Sequence, residues 1–399
     1  MKPFKEASVN TMMKLTAWVL AAWLATPVPS ARAEAAEVAA SVTYKQLHAF
    51  DFNAEGSPGD SGLVKGPDGY FYGTADFGGD FGGGTIFRMA ANGATQTLHH
   101  FGLAGDGLFP RGLTWGPDGH FYGVTSGGGA VGDGTFYRMS LDGAVTVLYS
   151  FDKDRELGYA PSYAVTLSSD GNFYGVTSVG GGTVYRMTPN GQHSMLHMFE
   201  DDGIEGRSPW GGVIEDGAGN LYGTTSGGGI LGKGTVYRMT KTGVMKILHA
   251  FGSPRGDGAS PLASLLKVGK MLYGVTREGG TSGQGTIYRV STAGSSYQRL
   301  HSFSTSSGAP YSAHSSLVQA PDGYLYGTTT LGGAADKGTV YRIDLDGQLT
   351  QLHSFGQQRG DGAWPTAGLL PAGKSSFYGT TNSGGARNAG TAYKLTVVN

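Results

Sequence analysis

The chain has 399 residues, of which 71 are glycine, 39% are hydrophobic and none is cysteine. Lysine plus arginine (29) nearly balance aspartate plus glutamate (30), so the chain lacks the broad positive charge that non-specific binding to nucleic acid or anionic membranes needs. The absence of cysteine excludes disulfides and cysteine–zinc sites. High glycine content beside ample apolar content is typical of many short strands joined by tight turns.

The first 33 residues differ from the rest of the chain. Lys14 precedes the apolar run LTAWVLAAWLA, and the segment ends in Ala31-Arg32-Ala33. This pattern predicts a secretory signal peptide over residues 1–33, cleaved after Ala33. The apolar run is too short for a comfortable membrane span, so we expect no span in the mature chain.

The polar stretch before Met12 is atypical of a signal peptide, so translation could start at Met1, Met12 or Met13. With any of these three starts, we expect the segment to direct export, to the periplasm or the cell exterior.

Three motifs recur seven times each along the rest of the chain. An aromatic residue or leucine followed by Tyr-Gly recurs at intervals of 48 to 53 residues, with its tyrosine at Tyr72, Tyr122, Tyr174, Tyr222, Tyr273, Tyr326 and Tyr378. A Gly-Thr-x-aromatic-Arg/Lys motif follows each one, starting at Gly84, Gly134, Gly182, Gly234, Gly285, Gly338 and Gly390. A Leu-(His/Tyr)-x-Phe motif ends at Phe50, Phe101, Phe151, Phe199, Phe251, Phe303 and Phe355. Regular repetition of this length indicates a propeller or a solenoid.

The order of the motifs distinguishes these two architectures. The chain opens with one Leu-His-x-Phe motif and has none after its last Gly-Thr motif, so the first strand is expected to complete the last repeat. A solenoid would instead need capping repeats and no such permutation. We predict an all-β, seven-bladed β-propeller of four-stranded antiparallel blades over residues 43–399, preceded by a linker over residues 34–42.

The connections divide between the two faces of the predicted ring. Short Asp-Gly and Asn-Gly hairpins join the first to the second and the third to the fourth strand, as at Asp118-Gly119 and Asp142-Gly143. The other connections are long, such as residues 126–134 and 102–110, and fall together on the opposite face. Loops on a rigid scaffold commonly carry binding sites, so this long-loop face is where we expect one.

The three motifs resemble the GloVer tandem repeat of exported bacterial proteins, over residues 44–395. That resemblance implies a propeller-like exported protein of uncharacterised activity, often with a C-terminal surface anchor. No anchor segment follows the closing strand in this sequence.

The histidines of the Leu-His-x-Phe motifs could suggest a metal site, because imidazole is a common metal ligand. They occur at His48, His99, His197, His249, His301 and His353. One per blade on the outermost strand places them far apart, so we predict packing roles and no metal site. Glycine-rich loops such as residues 227–234 lack a following helix and predict turns, not phosphate sites.

Asp106, Asp257 and Asp361 lie in long loops and are weak catalytic candidates. Their carboxylates could bind calcium or act as acid and base, but no calcium-loop pattern surrounds them, so turn formation is favoured. Calcium is the one cofactor that this reading leaves open.

A set of aromatic and basic residues varies between repeats beside the proline that begins each first strand. We expect these residues to surround the mouth of the central channel and bind a ligand: Phe109, Arg111, Tyr159, Trp210, Tyr311 and Trp364, with Arg207 nearby. Exposed rings suit contacts with sugars or proteins, although they could instead cap the packing of their own blades.

These patterns favour a monomeric, exported, non-catalytic propeller that binds a glycan or an envelope protein through its long-loop face. The alternative is a carbohydrate-active or lactone-cleaving enzyme, an analogy at the level of the fold. A purely structural role in the envelope is a third reading.

Overall fold

The computed structural model describes residues 41–60, 62–155, 158–200, 203–252 and 256–398. The predicted signal peptide and its cleavage site therefore lie outside the described residues. Within them the chain is all-β, and its one helical segment is a 3₁₀ turn at Lys153–Arg155. Seven antiparallel sheets follow one another, each with the strand order inner, second, third, outer.

The Tyr-Gly and Gly-Thr motifs form the two central strands of each blade. The second strands, in order from blade 1, are Phe71–Phe77, Phe121–Gly128, Phe173–Thr177, Leu221–Thr225, Met271–Thr276, Leu325–Thr329 and Ser376–Thr381. The third strands are Thr85–Met89, Thr135–Met139, Thr183–Met187, Thr235–Met239, Thr286–Ser291, Thr339–Ile343 and Thr391–Val398. Both sets are almost entirely buried, as aromatic and β-branched strands between neighbouring sheets should be.

The Leu-His-x-Phe motifs form the outer strands, as the sequence predicts. From blade 1 to blade 6 these are Thr95–His100, Val145–Ser150, His193–Met198, Met245–Ala250, Tyr297–Ser302 and Leu349–Ser354. The seventh is Ser41–Ala49, which pairs antiparallel with Thr391–Val398. The first strand thus completes blade 7, and the predicted seven-bladed ring is confirmed. The closing strand begins at Ser41, so residues 41 and 42, which the sequence assigned to the linker, belong to this sheet.

The hydrophobic core consists of seven clusters, each shared by two adjacent blades. The cluster between blades 1 and 2, for example, joins Tyr72 to Phe121 and Tyr137. Another joins blade 7 to blade 1 through Tyr378 and Phe71, so the ring of packing has no gap. Ring closure without disulfides rests on this continuous burial of apolar surface.

The Tyr-Gly motif has a steric cause. A Cβ atom added at Gly123 would lie 2.4 Å from the Tyr137 hydroxyl, and one at Gly175 would lie 2.3 Å from that of Tyr185. The third-strand tyrosine therefore packs directly on the backbone of the second strand. Only glycine leaves room for it.

The four strands that the sequence predicts for each blade are present, but the inner strands are interrupted. Their lower pieces are Val64–Lys65, Thr166–Leu167, Ile214–Glu215, Leu266–Val268, Val318–Gln319 and Leu370–Pro371, and only in blade 2 does one strand, Gly107–Trp115, run through. The separate upper pieces are Ser57–Pro58, Gly258–Ala259, Pro310–Tyr311 and Gly362–Ala363. The first pairs with the second strand of its blade, and the other three pair with a short piece that follows the second strand. Between the two pieces the chain leaves the ladder in a bulge of several residues.

The bulges face the ring axis, because there they meet bulges of other blades. The Thr366 hydroxyl of blade 7 donates to the Gly59 carbonyl of blade 1 at 3.4 Å. A Cβ at Gly211 in blade 4 would lie 2.4 Å from the Ala263 backbone in blade 5. The backbone at the inner edge of the sheets is thus in contact between neighbouring blades around the axis, as these two pairs show.

The long loops lie together at one end of the ring, as predicted. The Phe109 amide, in a loop between blades, donates to the carbonyl of Gly83 in a loop within a blade, at 2.8 Å. Trp364 and Lys337 make the same contact at 2.8 Å. The long-loop face is therefore a continuous surface around the axis.

Candidate functional site at the axis of the long-loop face

One backbone position on the long-loop face is held with positive φ in six blades. It is occupied by Phe109, Ala160, Ser208, Ser260, Ser312 and Trp364, with φ between 53° and 61°. This left-handed region is unfavourable for residues other than glycine, and most of all for bulky ones. Four blades place serine or alanine there, whereas blades 2 and 7 place Phe109 and Trp364.

The aromatic residues singled out in the sequence do not share one structural position. Tyr159 and Tyr311 lie one residue before the positive-φ position, and Trp210 lies just after the proline that follows it. The Tyr159 ring packs against the core between blades 2 and 3. The Tyr311 hydroxyl donates to Asp336 at 2.8 Å. These two residues therefore have partners within the fold.

Trp210 and Trp364 are exposed, with 36% and 39% of their surface accessible. The Lys337 ammonium lies 4.9 Å from the centre of the Trp364 ring. Phe109 packs its ring 5.2 Å from that of Phe77, which is itself exposed. Blades 7, 1 and 2 are neighbours, so Trp364, Phe77 and Phe109 mark one sector of the face.

Arg111 in blade 2 binds Asp76 in blade 1 within the same sector. The Arg111 Nη1 atom donates to Asp76 Oδ2 at 2.7 Å, and its Nε donates to the Ser126 hydroxyl at 3.3 Å. Asp76 is only 4% exposed, and its carboxylate lies over Gly59, where a Cβ would be 2.0 Å away. The pair therefore fixes the border between blades 1 and 2.

Burial disfavours the ionised form of the Asp76 carboxyl more than its ion pair with Arg111 favours that form. Burial raises its pKa to about 7; the Arg111 charge acts in the opposite direction and the Asp60 charge raises it further. Its Oδ1 atom has no hydrogen-bond partner among the described residues. A desolvated carboxyl with one free oxygen favours the neutral form.

Titratable groups of several blades converge on the axis beside this pair. We call them the axis cluster: Asp60, Asp76, Arg111, Tyr163, Arg277 and His314. Burial raises the pKa of the Tyr163 hydroxyl, which the Ser264 and Ser316 hydroxyls lower and the Asp60 charge raises. Tyr163 belongs to blade 3, and a Cβ at Gly212 in blade 4 would lie 2.8 Å from its ring and 3.3 Å from the Ser264 hydroxyl of blade 5. The Tyr163 side chain therefore extends past blade 4 towards blade 5.

His314 connects the two sides of the axis cluster. Burial lowers the pKa of its imidazole; the Arg277 charge lowers it further and the Asp60 charge raises it. Asp60 and Arg277 lie on blades 1 and 5, on opposite sides of the ring. The charges of Asp60 and Arg277 thus both act on His314 at the end of the channel.

Sequence reasoning missed most of this cluster. Four residues after the tyrosine of each Tyr-Gly motif, five blades carry a small neutral polar residue: Ser126, Ser178, Ser226, Thr330 and Asn382. Blades 1 and 5 carry Asp76 and Arg277 instead. Alignment of the repeats would have revealed these two charged exceptions.

Two of the three weak catalytic candidates hydrogen-bond the histidine of the preceding outer strand, and the third lies near its histidine. His99 Nε2 lies 3.0 Å from Asp106, and His249 Nε2 lies 3.0 Å from Asp257. His353 Nε2 lies 3.9 Å from Asp361, whose oxygens accept from the Gly356 and Gly362 amides at 2.8 Å. No hydrogen bond in the described parts of the chain joins any two of the three carboxylates.

Glutamates make the same contact in two other blades. His48 Nε2 lies 2.9 Å from Glu55, and His197 Nε2 lies 2.7 Å from Glu205. In four blades a hydrogen bond from the histidine to a carboxylate therefore fastens the loop to the outer strand, a structural use of both residue types.

No group of three or more histidine, aspartate or glutamate side chains within the described ranges is arranged to hold a metal ion. The same part of the chain contains no helix that is long and apolar enough to cross a membrane.

Solved structures with a similar fold have low sequence identity to this chain. A candidate 6-phosphogluconolactonase from Bacteroides uniformis matches with a TM-score of 0.51 at 15% identity, covering 80% of this chain and 88% of that chain. A candidate TolB from Agrobacterium tumefaciens matches with a TM-score of 0.44 at 15% identity, covering 77% of this chain and 94% of that chain. The first of these shows a shared fold and nothing about activity.

No curated protein has a significantly similar sequence. A family model, described as the Gloeobacter/Verrucomicrobia repeat, matches residues 36–182, 161–313 and 272–399. These segments contain all seven blades, including the closing strand. The chain therefore belongs to the Gloeobacter/Verrucomicrobia repeat family.

Proposed function

We propose that this protein is an exported, non-catalytic propeller that binds a glycan on the sector of the long-loop face formed by blades 7, 1 and 2. Export is inferred from the signal-peptide pattern of residues 1–33. The observation that carries the proposal is the placement of Phe109 and Trp364 at positive φ, where four other blades have serine or alanine.

The backbone conformation at these two positions is costly for a bulky side chain. A residue other than glycine in the left-handed region costs about 1 kcal/mol or more. Trp364 also leaves 39% of its surface in water. Folding alone gains little from the exposed Trp364 ring, which supports a role in binding.

Carbohydrates suit this sector because aromatic and polar groups alternate in it. The C–H face of a sugar ring packs on an exposed aromatic ring, and flat rings lose little entropy on binding. Between the Trp364 and Phe109 positions lie the Arg111 guanidinium and Asn382, whose side chain donates to the Pro58 carbonyl at 3.3 Å. Such groups can bond sugar hydroxyls.

The test is a polysaccharide and glycan-array screen with the protein from residue 34 onward, comparing wild type with Trp364→Ser and Phe109→Ala. Each substitution installs a residue that another blade already has at that position, so the fold should survive. We expect the double variant to weaken glycan binding at least about tenfold, the loss typical of interface aromatics.

Tyr70→Ala is the matched control. Tyr70 is an exposed aromatic residue in a short hairpin on the opposite face. It should leave binding unchanged. Equal binding by wild type and the double variant, for every glycan that binds, would contradict the proposal.

The enzymatic alternative, cleavage of a carbohydrate or lactone, has one specific observation in its favour. Asp76 has a raised pKa and a free oxygen beside Arg111 at the end of the channel, as a general acid or base would need. Its 4% exposure argues against contact with a substrate. Turnover of a lactone or glycoside that Asp76→Asn abolishes would favour this alternative over binding alone.

A further inference from the structure

A polar groove of about 730 Å³ lies on the outside of the ring, between the outer strand of blade 6 and the closing strand of blade 7. Its walls include Lys45 and Gln46 from the closing strand and Gln351 from the blade 6 strand. The loop that follows contributes Gln358 and Arg359. The groove is far from the axis cluster, since outer strands form the perimeter of the ring.

The border between blades 4 and 5 has the same construction. There Tyr297 stacks on His249 with ring centres 3.6 Å apart, just as Tyr44 stacks on His353 at 3.9 Å. The loops after the two histidine strands have equal length and the same pattern, Gly-x-x-Arg-Gly-Asp-Gly, over residues 252–258 and 356–362. The two borders can therefore be compared position by position.

At the border between blades 4 and 5, hydrogen bonds join the described part of the loop to the neighbouring strand. Arg299 Nη1 donates to the carbonyl of Gly256 in the loop at 2.5 Å. The Tyr297 hydroxyl donates to Asp257, which also lies 3.0 Å from His249. These bonds draw the loop onto the neighbouring strand.

The border between blades 6 and 7 lacks these bonds. Gln46 occupies the position of Arg299, two residues after the stacked tyrosine, and lines the groove. The Tyr44 hydroxyl and His353 Nε2 are buried without a hydrogen-bond partner within the described residues, and Asp361 is 3.9 Å from His353. The bond that Arg299 makes to the loop at the other border thus has no counterpart from Gln46 within the described residues.

The lining of this groove has a definite chemical character. Glutamine side chains both donate and accept, which matches sugar hydroxyls, and the cations Lys45 and Arg359 match carboxylates. Asp361 also lines the groove, with its oxygens accepting from the Gly356 and Gly362 amides, so two cations stand against one carboxylate. Its volume lies within the range usual for small-ligand sites, about 300–1,000 Å³.

We propose that this groove binds an acidic oligosaccharide, with carboxylates on Lys45 and Arg359 and hydroxyls on the glutamine side chains. The site is separate from the aromatic sector of the long-loop face and does not depend on it.

The experiment is isothermal titration of the protein from residue 34 onward with trigalacturonate at low salt. Wild type should bind saturably. Gln46→Arg installs the arginine that Arg299 provides at the border between blades 4 and 5. A hydrogen bond from it to the loop should draw the loop onto the strand and weaken binding at least about tenfold. Arg359→Gln, on an exposed loop residue, should also weaken binding, and the fully methyl-esterified trisaccharide should bind more weakly than the acid.

Two controls separate this proposal from the preceding one. Lys267→Gln removes an exposed positive charge on the inner strand of blade 5 and should leave trigalacturonate binding unchanged. Trp364→Ser should also leave it unchanged, because that residue belongs to the other site. Failure of wild type to bind, or full binding by both Gln46→Arg and Arg359→Gln, would overturn the proposal.

Discussion

Asp76 shows how one residue that departs from the repeat changes its surroundings. Its counterparts in most other blades are serine, threonine or asparagine, which need no counter-charge. The carboxyl in blade 1 is satisfied on one side by Arg111 and packs on Gly59, where no side chain would fit. Because the effect of burial exceeds that of the Arg111 charge, the pKa of Asp76 rises to about 7, near neutral pH.

Asp76 should therefore make stability depend on pH. Its pKa in the folded protein, about 7, lies above the ordinary value of 3.8. The folded state keeps a proton that the unfolded chain releases, so this contribution is fully present below about pH 4 and is lost as pH rises through 7. The loss has an upper bound of about 4 kcal/mol. Asp76→Asn should remove it.

Urea unfolding of wild type and Asp76→Asn at several pH values between 4 and 8 measures this effect. The free energy of unfolding of the variant minus that of wild type should increase as pH rises. Parallel curves for the two proteins would show that Asp76 is already ionised throughout.

At the scale of the strands, two tyrosines per blade are buried for different reasons. In blade 6 the second-strand Tyr326 donates its hydroxyl to Asp322 in the adjoining hairpin at 2.6 Å. The third-strand Tyr341 packs on Gly327, and its hydroxyl has no partner among the described residues. Blade 1 has Phe87 at the equivalent of Tyr341, so the fold accepts phenylalanine there.

The same substitution should therefore have opposite effects at these two positions. Tyr326→Phe removes a bond that holds the hairpin and should lower the free energy of unfolding by about 1 kcal/mol. Tyr341→Phe removes a buried hydroxyl without a partner and should raise it by up to about 1 kcal/mol. Thermal and urea unfolding of the two variants measures both changes. Equal destabilisation would mean that both hydroxyls are bonded.

The sequence motifs predicted these elements well because each depends on local or repeated contacts. The Tyr-Gly pair needs only the next strand of its own blade, and Asp-Gly turns need only their own backbone. The interruption of the inner strands was not predicted. It depends on bulges from different blades meeting at the axis, a contact between segments far apart in sequence.

At the scale of the whole ring, closure depends on one strand that comes first in the sequence but belongs to the last blade. Ser41–Ala49 pairs with Thr391–Val398 and covers an edge that would otherwise be exposed. Its Val42 and Tyr44 side chains pack on the cluster between blades 6 and 7. The ring is therefore joined by hydrogen bonds and packing alone.

A protein that begins at residue 50 should be much less stable than one that begins at residue 41. Without the closing strand, the melting temperature should fall by about 10 °C or more, and the bare edge of blade 7 should promote association between copies. Scanning calorimetry and light scattering of the two proteins test this. A synthetic peptide of residues 41–50 should restore part of the loss, and equal melting temperatures would contradict closure by this strand.

The sequence by itself determined the number of blades, the strands that build them, the permuted closure and the face that carries the long loops, because these follow from motifs repeated at a fixed interval. Only the tertiary structure decided which unusual residues act together. Trp364 and Phe109 share a costly backbone conformation, whereas Tyr159 and Tyr311 are engaged within the fold. Asp76, Tyr163 and His314 come from blades 1, 3 and 6, and only closure of the ring brings their side chains to one axis.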